Sequence, residues 1–229
     1  MQAGVNHAPW RGRALIPLAI SAVLGLAGCG GGGSSGGTGP ETTGDEQAQS
    51  DASSLVGTYV SDCFESSEVR TAAAGNVRQI NHLIVVEDAP DRLVFSTVET
   101  YFAPADIACT GVQIGEAVSE GSDNVWQLDG MKEANFDSTV VSARRLSGTM
   151  GRVDRISVGS ITLEGTTLSG GGTLTLNDIE FPANYFSDDP EVRAIVYLDN
   201  GGALYFGDGA VGRDGYPDTL SATFPLRRQ

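Results

Sequence analysis

From Leu55 onward, short apolar runs alternate with clusters of Gly, Asn, Asp, Ser and Pro. Leu55 to Val60 (LVGTYV) is a strand leading into Cys63. Ile80 to Glu87 (INHLIVVE) is β-branched and apolar, Asp88-Ala89-Pro90-Asp91 reads as a turn, and Arg92 to Phe102 (RLVFSTVETYF) returns as the hairpin partner. Further strands are predicted over Val112 to Val118, Val125 to Leu128, Thr139 to Leu146 and Arg152 to Val158. Ile161 to Glu164 and Thr173 to Leu176 alternate cleanly, which places Ile161, Leu163, Leu174 and Leu176 inward. Val192 to Leu198 and Ala203 to Phe206 flank Asp199-Asn200-Gly201-Gly202, a good hairpin turn because Asn and Gly tolerate positive φ. Leu220 to Leu226 closes the chain. No segment of about twelve residues holds a helical period; Thr71 to Gly75 and Pro190 to Val192 have room for a single helical turn.

Many short strands at even spacing with Gly-rich turns predict an all-β fold. Consecutive hairpins without long crossovers favour an antiparallel up-and-down barrel of the lipocalin-like kind. A two-sheet β-sandwich is the alternative.

The first 28 residues have a different organisation. Met1 to Arg13 carries Arg11 and Arg13 and no acid, Ala14 to Ala27 is apolar, and small residues precede Cys29. A basic start, a short apolar core and a small-residue end describe a secretory signal peptide. The apolar run falls short of the roughly 20 residues of a membrane span, and Pro17 opposes a permanent helix in lipid. Leu26-Ala27-Gly28-Cys29 resembles the lipobox of bacterial lipoproteins. That resemblance implies diacylglycerol in thioether linkage on Cys29, cleavage before it and acylation of the new amine. It also implies a bilayer as partner. Several acyl chains on one residue would anchor firmly where a single chain is marginal. An Asp after the lipidated Cys usually marks inner-membrane retention in such proteins; Gly30 stands there, which points to the outer membrane.

Residues 29–54 then form a tether. The stretch is rich in Gly, Ser, Thr and acid and lacks large apolar residues, so it buries too little surface to offset its ordering entropy and is expected to be disordered. A coil of about 25 residues reaches about 25–30 Å. Gly32-Gly33-Ser34-Ser35-Gly36 fits G-x-S-x-G there, but with no flanking strand or helix the match is compositional. Residues 55–229 are the length of one domain.

Charge and cysteine content narrow the chemistry. The formal charge is −15; once Arg11 and Arg13 leave with the signal peptide, 12 of the 14 basic residues face 29 acids, a net −17. Such a surface repels polyphosphates and argues against a nucleic-acid partner. Of three cysteines, Cys29 is assigned to lipid, which leaves Cys63 and Cys109 as an even pair in an oxidising compartment and predicts a disulfide between them.

Candidate chemistry is sparse. His82 is the one histidine of the mature chain and sits mid-strand, which suits a half-exposed strand residue better than a catalytic base. Gly207 to Gly212 fits G-x-G-x-x-G, but Arg213-Asp214-Gly215-Tyr216-Pro217 cannot open the helix a dinucleotide site needs, so the segment reads as a turn. Asp208, Asp214 and Asp218 are calcium candidates at a spacing unlike an EF-hand, and Asp-Gly pairs commonly build turns; no other cofactor is indicated. Tyr59, Tyr101, Trp126, Tyr197 and Tyr205, with Tyr216, are candidates for lining a ligand cavity or filling a core.

Gly57-Thr58-Tyr59-Val60-Ser61-Asp62-Cys63, Leu204-Tyr205-Phe206-Gly207-Asp208 and Asp214-Gly215-Tyr216-Pro217 resemble segments of small β-rich bacterial lipoproteins of unknown function. That family brings no activity with it. The leading expectation is a non-enzymatic envelope lipoprotein that binds an apolar small ligand at the barrel mouth, or an envelope protein. A carboxylate-dependent hydrolase and a loop-acting inhibitor or adhesin are the alternatives. The hydrolase requires two acids converging in one cleft.

Overall fold

The computed structural model describes residues 52–120, 123–165, 172–186 and 189–229. The expected signal peptide, Cys29 and nearly all of the expected tether lie outside the described residues. After a 3-10 turn (Ala52–Leu55) come β1 (Gly57–Ser61), β2 (Phe64–Thr71), β3 (Gly75–Ala89), β4 (Arg92–Phe102), β5 (Gln113–Ser119), β6 (Val125–Phe136) and β7 (Thr139–Met150). They are followed by β8 (Arg155–Val158), β9 (Ile161–Glu164), β10 (Thr173–Leu176) and β11 (Ile179–Pro182). A second 3-10 turn (Ala183–Phe186) leads to β12 (Asp189–Leu198), β13 (Ala203–Val211), β14 (Pro217–Leu220) and β15 (Leu226–Arg228).

Eight strands pair in a closed antiparallel ring: β1–β3–β4–β6–β7–β12–β13–β15 and back to β1. Round the ring they follow chain order, the up-and-down arrangement expected from consecutive hairpins. The remaining strands are insertions in it. Six of them extend the other ends of β3 and β4 into a second sheet, ordered β9-β8-β5-β4-β3-β2-β11-β10. The β3–β4 hairpin therefore belongs to both. Its register runs from Arg78↔Phe102 to Ala89↔Arg92, with one irregularity near the turn.

Each part has its own core. Inside the ring, Leu55, Tyr59, Leu83, Val85, Leu93, Phe95, Trp126, Leu146, Val196 and Leu204 are all at most 1% exposed. Phe95 and Trp126 stack with ring centroids 4.2 Å apart, and Phe206 lies 6.0 Å from Trp126. A Cβ at Gly148, the cross-strand partner of Trp126, would lie 1.8 Å from the Val125 carbonyl oxygen, so only glycine fits there. Under the second sheet, Val69, Val77, Tyr101, Ile156, Phe181 and Tyr185 form a separate cluster. Outside the ring, Ala134, Ala143, Ile195, Tyr216 and Leu220 make a third.

Several sequence expectations need correction. Thr71 to Gly75 is the β2–β3 turn and Pro190 to Val192 lies within β12, so neither is helical. Leu220 to Leu226 is not one strand: β14 ends and β15 begins there. Gly207 and Asp208 are not a turn but pair in β13 with Leu220 and Thr219; the turn is at Gly212 to Gly215, closed by the Gly215 N–H donating to the Gly212 carbonyl. Ile161 is 37% exposed because β9 is the last strand of its sheet, while Leu174 and Leu176 do pack on the second core. The expected hairpin at Asp199 to Gly202 forms, with Gly202 at φ +79°.

The Cys63–Cys109 disulfide is present, with Cα atoms 5.7 Å apart. It ties the segment after β1 to the β4–β5 loop, where the Asp106 carboxylate accepts the Thr110 and Gly111 N–H groups. Closing a loop of sequence separation 46 restricts the unfolded chain by about 4 kcal/mol in the chain-entropy model. Reduction, or Cys63→Ser with Cys109→Ser, is expected to lower the melting temperature by roughly 10 °C. Calorimetry with and without reductant reads this, and an unchanged midpoint would refute it.

Candidate functional site

Side chains alternate along a strand, so one phase of β3 and one phase of β4 face inward. The inward phase of β3 is Val77, Gln79, Asn81, Leu83 and Val85; that of β4 is Leu93, Phe95, Thr97, Glu99 and Tyr101. At one end of the shared hairpin these rows feed the ring core, and at the other the second core. Between the cores the rows turn polar. Asn81 stands opposite Glu99, and Leu83 opposite Thr97. All four polar residues are at most 9% exposed, and Glu99 is at 1%.

A cavity of about 180 Å³ opens onto this polar layer. Ser61 of β1, Phe64 to Glu68 of β2 and Tyr185 wall it, with Leu83, Phe206 and Leu226 from the ring core below. At its rim Phe64 and Phe224 pack with centroids 5.0 Å apart, and Phe224 is half exposed. The volume is below the roughly 300 Å³ at which drug-sized sites begin. It suits a small molecule.

The polar layer is tightly bonded. The Glu99 carboxylate accepts hydrogen bonds from the Tyr101 hydroxyl and, at 2.8 Å, from the Tyr185 hydroxyl. Gln79 Nε2 donates to Asn81 Oδ1 at 2.6 Å, and the Asn81 N–H donates to Ser61 Oγ at 2.8 Å. Ser66 Oγ accepts the Val69 N–H at 3.0 Å. Thr97 Oγ1 is buried without a hydrogen-bond partner among the described residues. Burial, and then the neighbouring Glu99 charge, raise the Tyr101 and Tyr185 hydroxyls well above their ordinary range, so both remain donors. Burial lowers His82, which leaves it mainly neutral at pH 7. Glu65, Glu68, Glu99 and Asp208 all line the cavity, and among the described residues no Lys or Arg does.

The residues singled out in the sequence fall elsewhere. Tyr59 and Trp126 are in the ring core, Tyr101 is in the second core, and Tyr197 and Tyr205 pack with Phe136 on the third cluster. These five are divided among three cores: aromatic bulk fills each of them, and Tyr101 meets the polar layer through its hydroxyl, which donates to Glu99. Cys29 lies outside the described residues. Two of the three acids of the calcium reading, Asp214 and Asp218, converge, but on a lysine. Lys132 Nζ lies 2.7 Å from Asp214 Oδ1 and 2.7 Å from Asp218 Oδ1, so an ammonium occupies the place a metal would take. Asp208 points elsewhere, its Oδ1 accepting the Gly209 N–H. No group of three or more His, Cys, Asp or Glu among the described residues is arranged to hold a metal ion. His82 is half-buried in β3, as expected, and also lines the cavity.

Comparison with protein-family models, with curated proteins and with solved structures gives no significant match. The site must be read from its own geometry.

The Lys132 cluster has a consequence for stability. The hydrogen bond from Lys132 holds Asp214 below the usual carboxylate range. Burial pulls Lys132 down, but its bonds to Asp214 and Asp218 outweigh this and leave it raised. A depressed acid stabilises above its unfolded pKa of about 3.9, and that contribution is lost as pH falls through the folded value; a raised Lys stabilises below about 10.4 and is lost at higher pH. Lys132→Met should therefore lower the melting temperature between pH 5 and 9 and converge with the wild type at low pH. A constant offset from pH 2 to 7 would exclude an ionic origin.

Proposed function

We propose that the chain is a lipid-anchored envelope protein whose β-rich body binds a small ligand without catalysis. The anchor rests on the tripartite leader and the Leu26-Ala27-Gly28-Cys29 motif. The binding reading rests on one observation, the cavity that opens on a buried carboxylate between two filled cores. A polar layer in a β core is costly unless it does something, and convergent polar groups in an enclosed space are what fix a ligand's orientation. The ring core is filled by aromatic and aliphatic side chains, and the cavity lies against Leu83, Phe206 and Leu226 of that core. Binding is favoured over hydrolysis because Glu99 is the one fully buried carboxylate among the described residues. The other acids of the cavity are more open: Glu65 is exposed and engages Arg78 at 3.6 Å, and Glu68 and Asp208 are half-buried.

Both halves are testable on the full chain in its own host. Cys29→Ser should abolish incorporation of labelled palmitate and release the protein from the membrane fraction; retention of the label would exclude lipidation at that residue. Native mass spectrometry of the detergent-extracted wild type should show a mass excess that disappears on denaturation. A clean apo mass would count against a tightly held ligand.

A further inference from the structure

The two poles of the body differ. The 3-10 turn Ala52–Leu55 packs into the ring core immediately before β1, so the chain enters the described body at the Gly57 end of that strand. Gly57 pairs with Val85, which pairs with Phe95 of β4. From Phe95, β4 runs on to Phe102, about 23 Å further at about 3.3 Å per residue, and ends in the loop of residues 103–112. That loop sits at the pole opposite to the entry of the chain.

The loop is rigid, and its surface is apolar. The Asp106 N–H donates to the Ala103 carbonyl at 2.9 Å and the Cys109 N–H to the Asp106 carbonyl at 3.1 Å, two successive turns. The Asp106 carboxylate accepts the Thr110 and Gly111 N–H groups, and Cys109 is bonded to Cys63. Cys109 is held at φ +51°, a left-handed conformation that persists in a residue with a side chain only where its surroundings over-determine it. On this frame Ile107 and Val112 stand 73% and 85% exposed, the two most exposed large apolar side chains among the described residues. Single exposed apolar residues are ordinary. Here two share one fixed loop, and near its disulfide Phe224, half exposed, packs on Phe64, the residue after Cys63. A loop already fixed forfeits little conformational entropy on binding.

We infer that this pole is a docking surface for a second protein, one with an apolar pocket for Ile107 and Val112 and a basic rim. The inference is separate from the cavity's ligand, and it rests on the anchored reading above for the direction in which the loop points. As a coil the expected tether reaches about 25–30 Å, whereas a domain of this length is on the order of 40 Å across. Anchoring at Cys29 therefore leaves the loop turned away from the bilayer. Charge points the same way: 29 acids against 14 basic residues give a formal charge of −15, which disfavours an anionic lipid surface or a second copy of the chain and favours a basic partner. Asp62 and Glu65, flanking Cys63 and Phe64, are exposed, although Arg227 and Arg78 approach them at 3.8 and 3.6 Å. The backbone turns twice instead of running extended, so recognition is by side-chain knobs and not by strand addition.

The test is photo-crosslinking of the full chain in its own host, with p-benzoylphenylalanine in place of Ile107, Val112, Val86 or Val140 in turn. Val86, next to Val85 at the entry pole, and Val140 in β7 are exposed controls. Ile107 and Val112 should give the same protein adduct, and the two controls should not. That protein, identified by peptide mass spectrometry and purified, should bind the full chain in calorimetric titration. Ile107→Ser should weaken it at least about tenfold, and Val140→Ser should leave it unchanged. Both substitutions are at exposed positions, so folding is not at stake. Adducts at Ile107 to phospholipid or to a second copy of the chain, adducts common to all four positions, or no adduct overturn the docking surface. So does an unchanged affinity for Ile107→Ser. The palmitate label on Cys29 judges the anchor by itself: label without adduct keeps the anchor and overturns the docking surface, and adduct without label keeps the docking surface and overturns the anchor.

Discussion

The β3–β4 ladder is the constraint on which the rest of the molecule depends. It is the pairing common to the closed ring and the second sheet, and its two strands are 15 and 11 residues long. Because the side-chain period is two, a slip of one residue would turn Val77, Leu83 and Val85 outward and expose both cores at once. The same slip would send Glu99 and Asn81 to the surface. Packing at the two ends of the hairpin thus fixes the placement of the polar residues in its middle, and neither core alone would hold them so firmly. Closure of the ring reinforces the ladder. β15 pairs with β1, and Arg228 donates to the Ser54 and Val56 carbonyls and to the Tyr59 hydroxyl, tying the last strand to the first.

The polar layer works against stability. A buried carboxylate that accepts hydrogen bonds from two phenols is tolerated only while those donors are kept, since removing one leaves a buried acceptor short of a partner. Tyr185 comes from the turn after β11 and Tyr101 from β4, so bringing both hydroxyls to Glu99 requires the second sheet to be assembled. The carboxylate therefore depends on tertiary structure from both sides, and its burial couples the two cores. An apolar residue at 99 would pack more simply. Retention of acid, amides and an unpaired hydroxyl in one layer is the local inconsistency expected of a functional site.

Much of the fold was legible in the sequence, and the reasons differ by element. β3 and β4 announce themselves through β-branched content and a turn between them, and the closing hairpin through Asp199 to Gly202. β2 leaves no alternating pattern because its buried residues, Ser66 and Val69, are three apart: a register shift between Glu65 and Arg70 breaks the alternation. The pattern of β6 is legible only as far as Leu128 because the irregularity between Leu128 and Met131, with Gly130 at φ +91°, hides its second half. The G-x-G-x-x-G segment reads as a turn in the sequence but lies largely within β13. Glycine content signals turns and bulged strands alike.

The site was hidden for a different reason. In a half-buried strand a polar residue is ordinarily assigned to the solvent face, so Gln79, Asn81, Thr97 and Glu99 attract no notice. They become conspicuous only if phase is tracked along the whole strand. Counting back by twos from Val85 and Leu83 lands on Asn81 and Gln79; counting forward from Leu93 and Phe95 lands on Thr97 and Glu99. Both rows turn polar where they face one another across the hairpin. Of the two roles open to the aromatic residues, lining a cavity or filling a core, the structure gives them the second. In a barrel this small, side chains exhaust the lumen, so a ligand site has to arise where the packing is interrupted. Here the interruption lies between two cores that each end in apolar side chains, and the groups facing it are set by strands fixed at both ends. That arrangement gives the cavity preorganised polar groups without asking the closed ring to open.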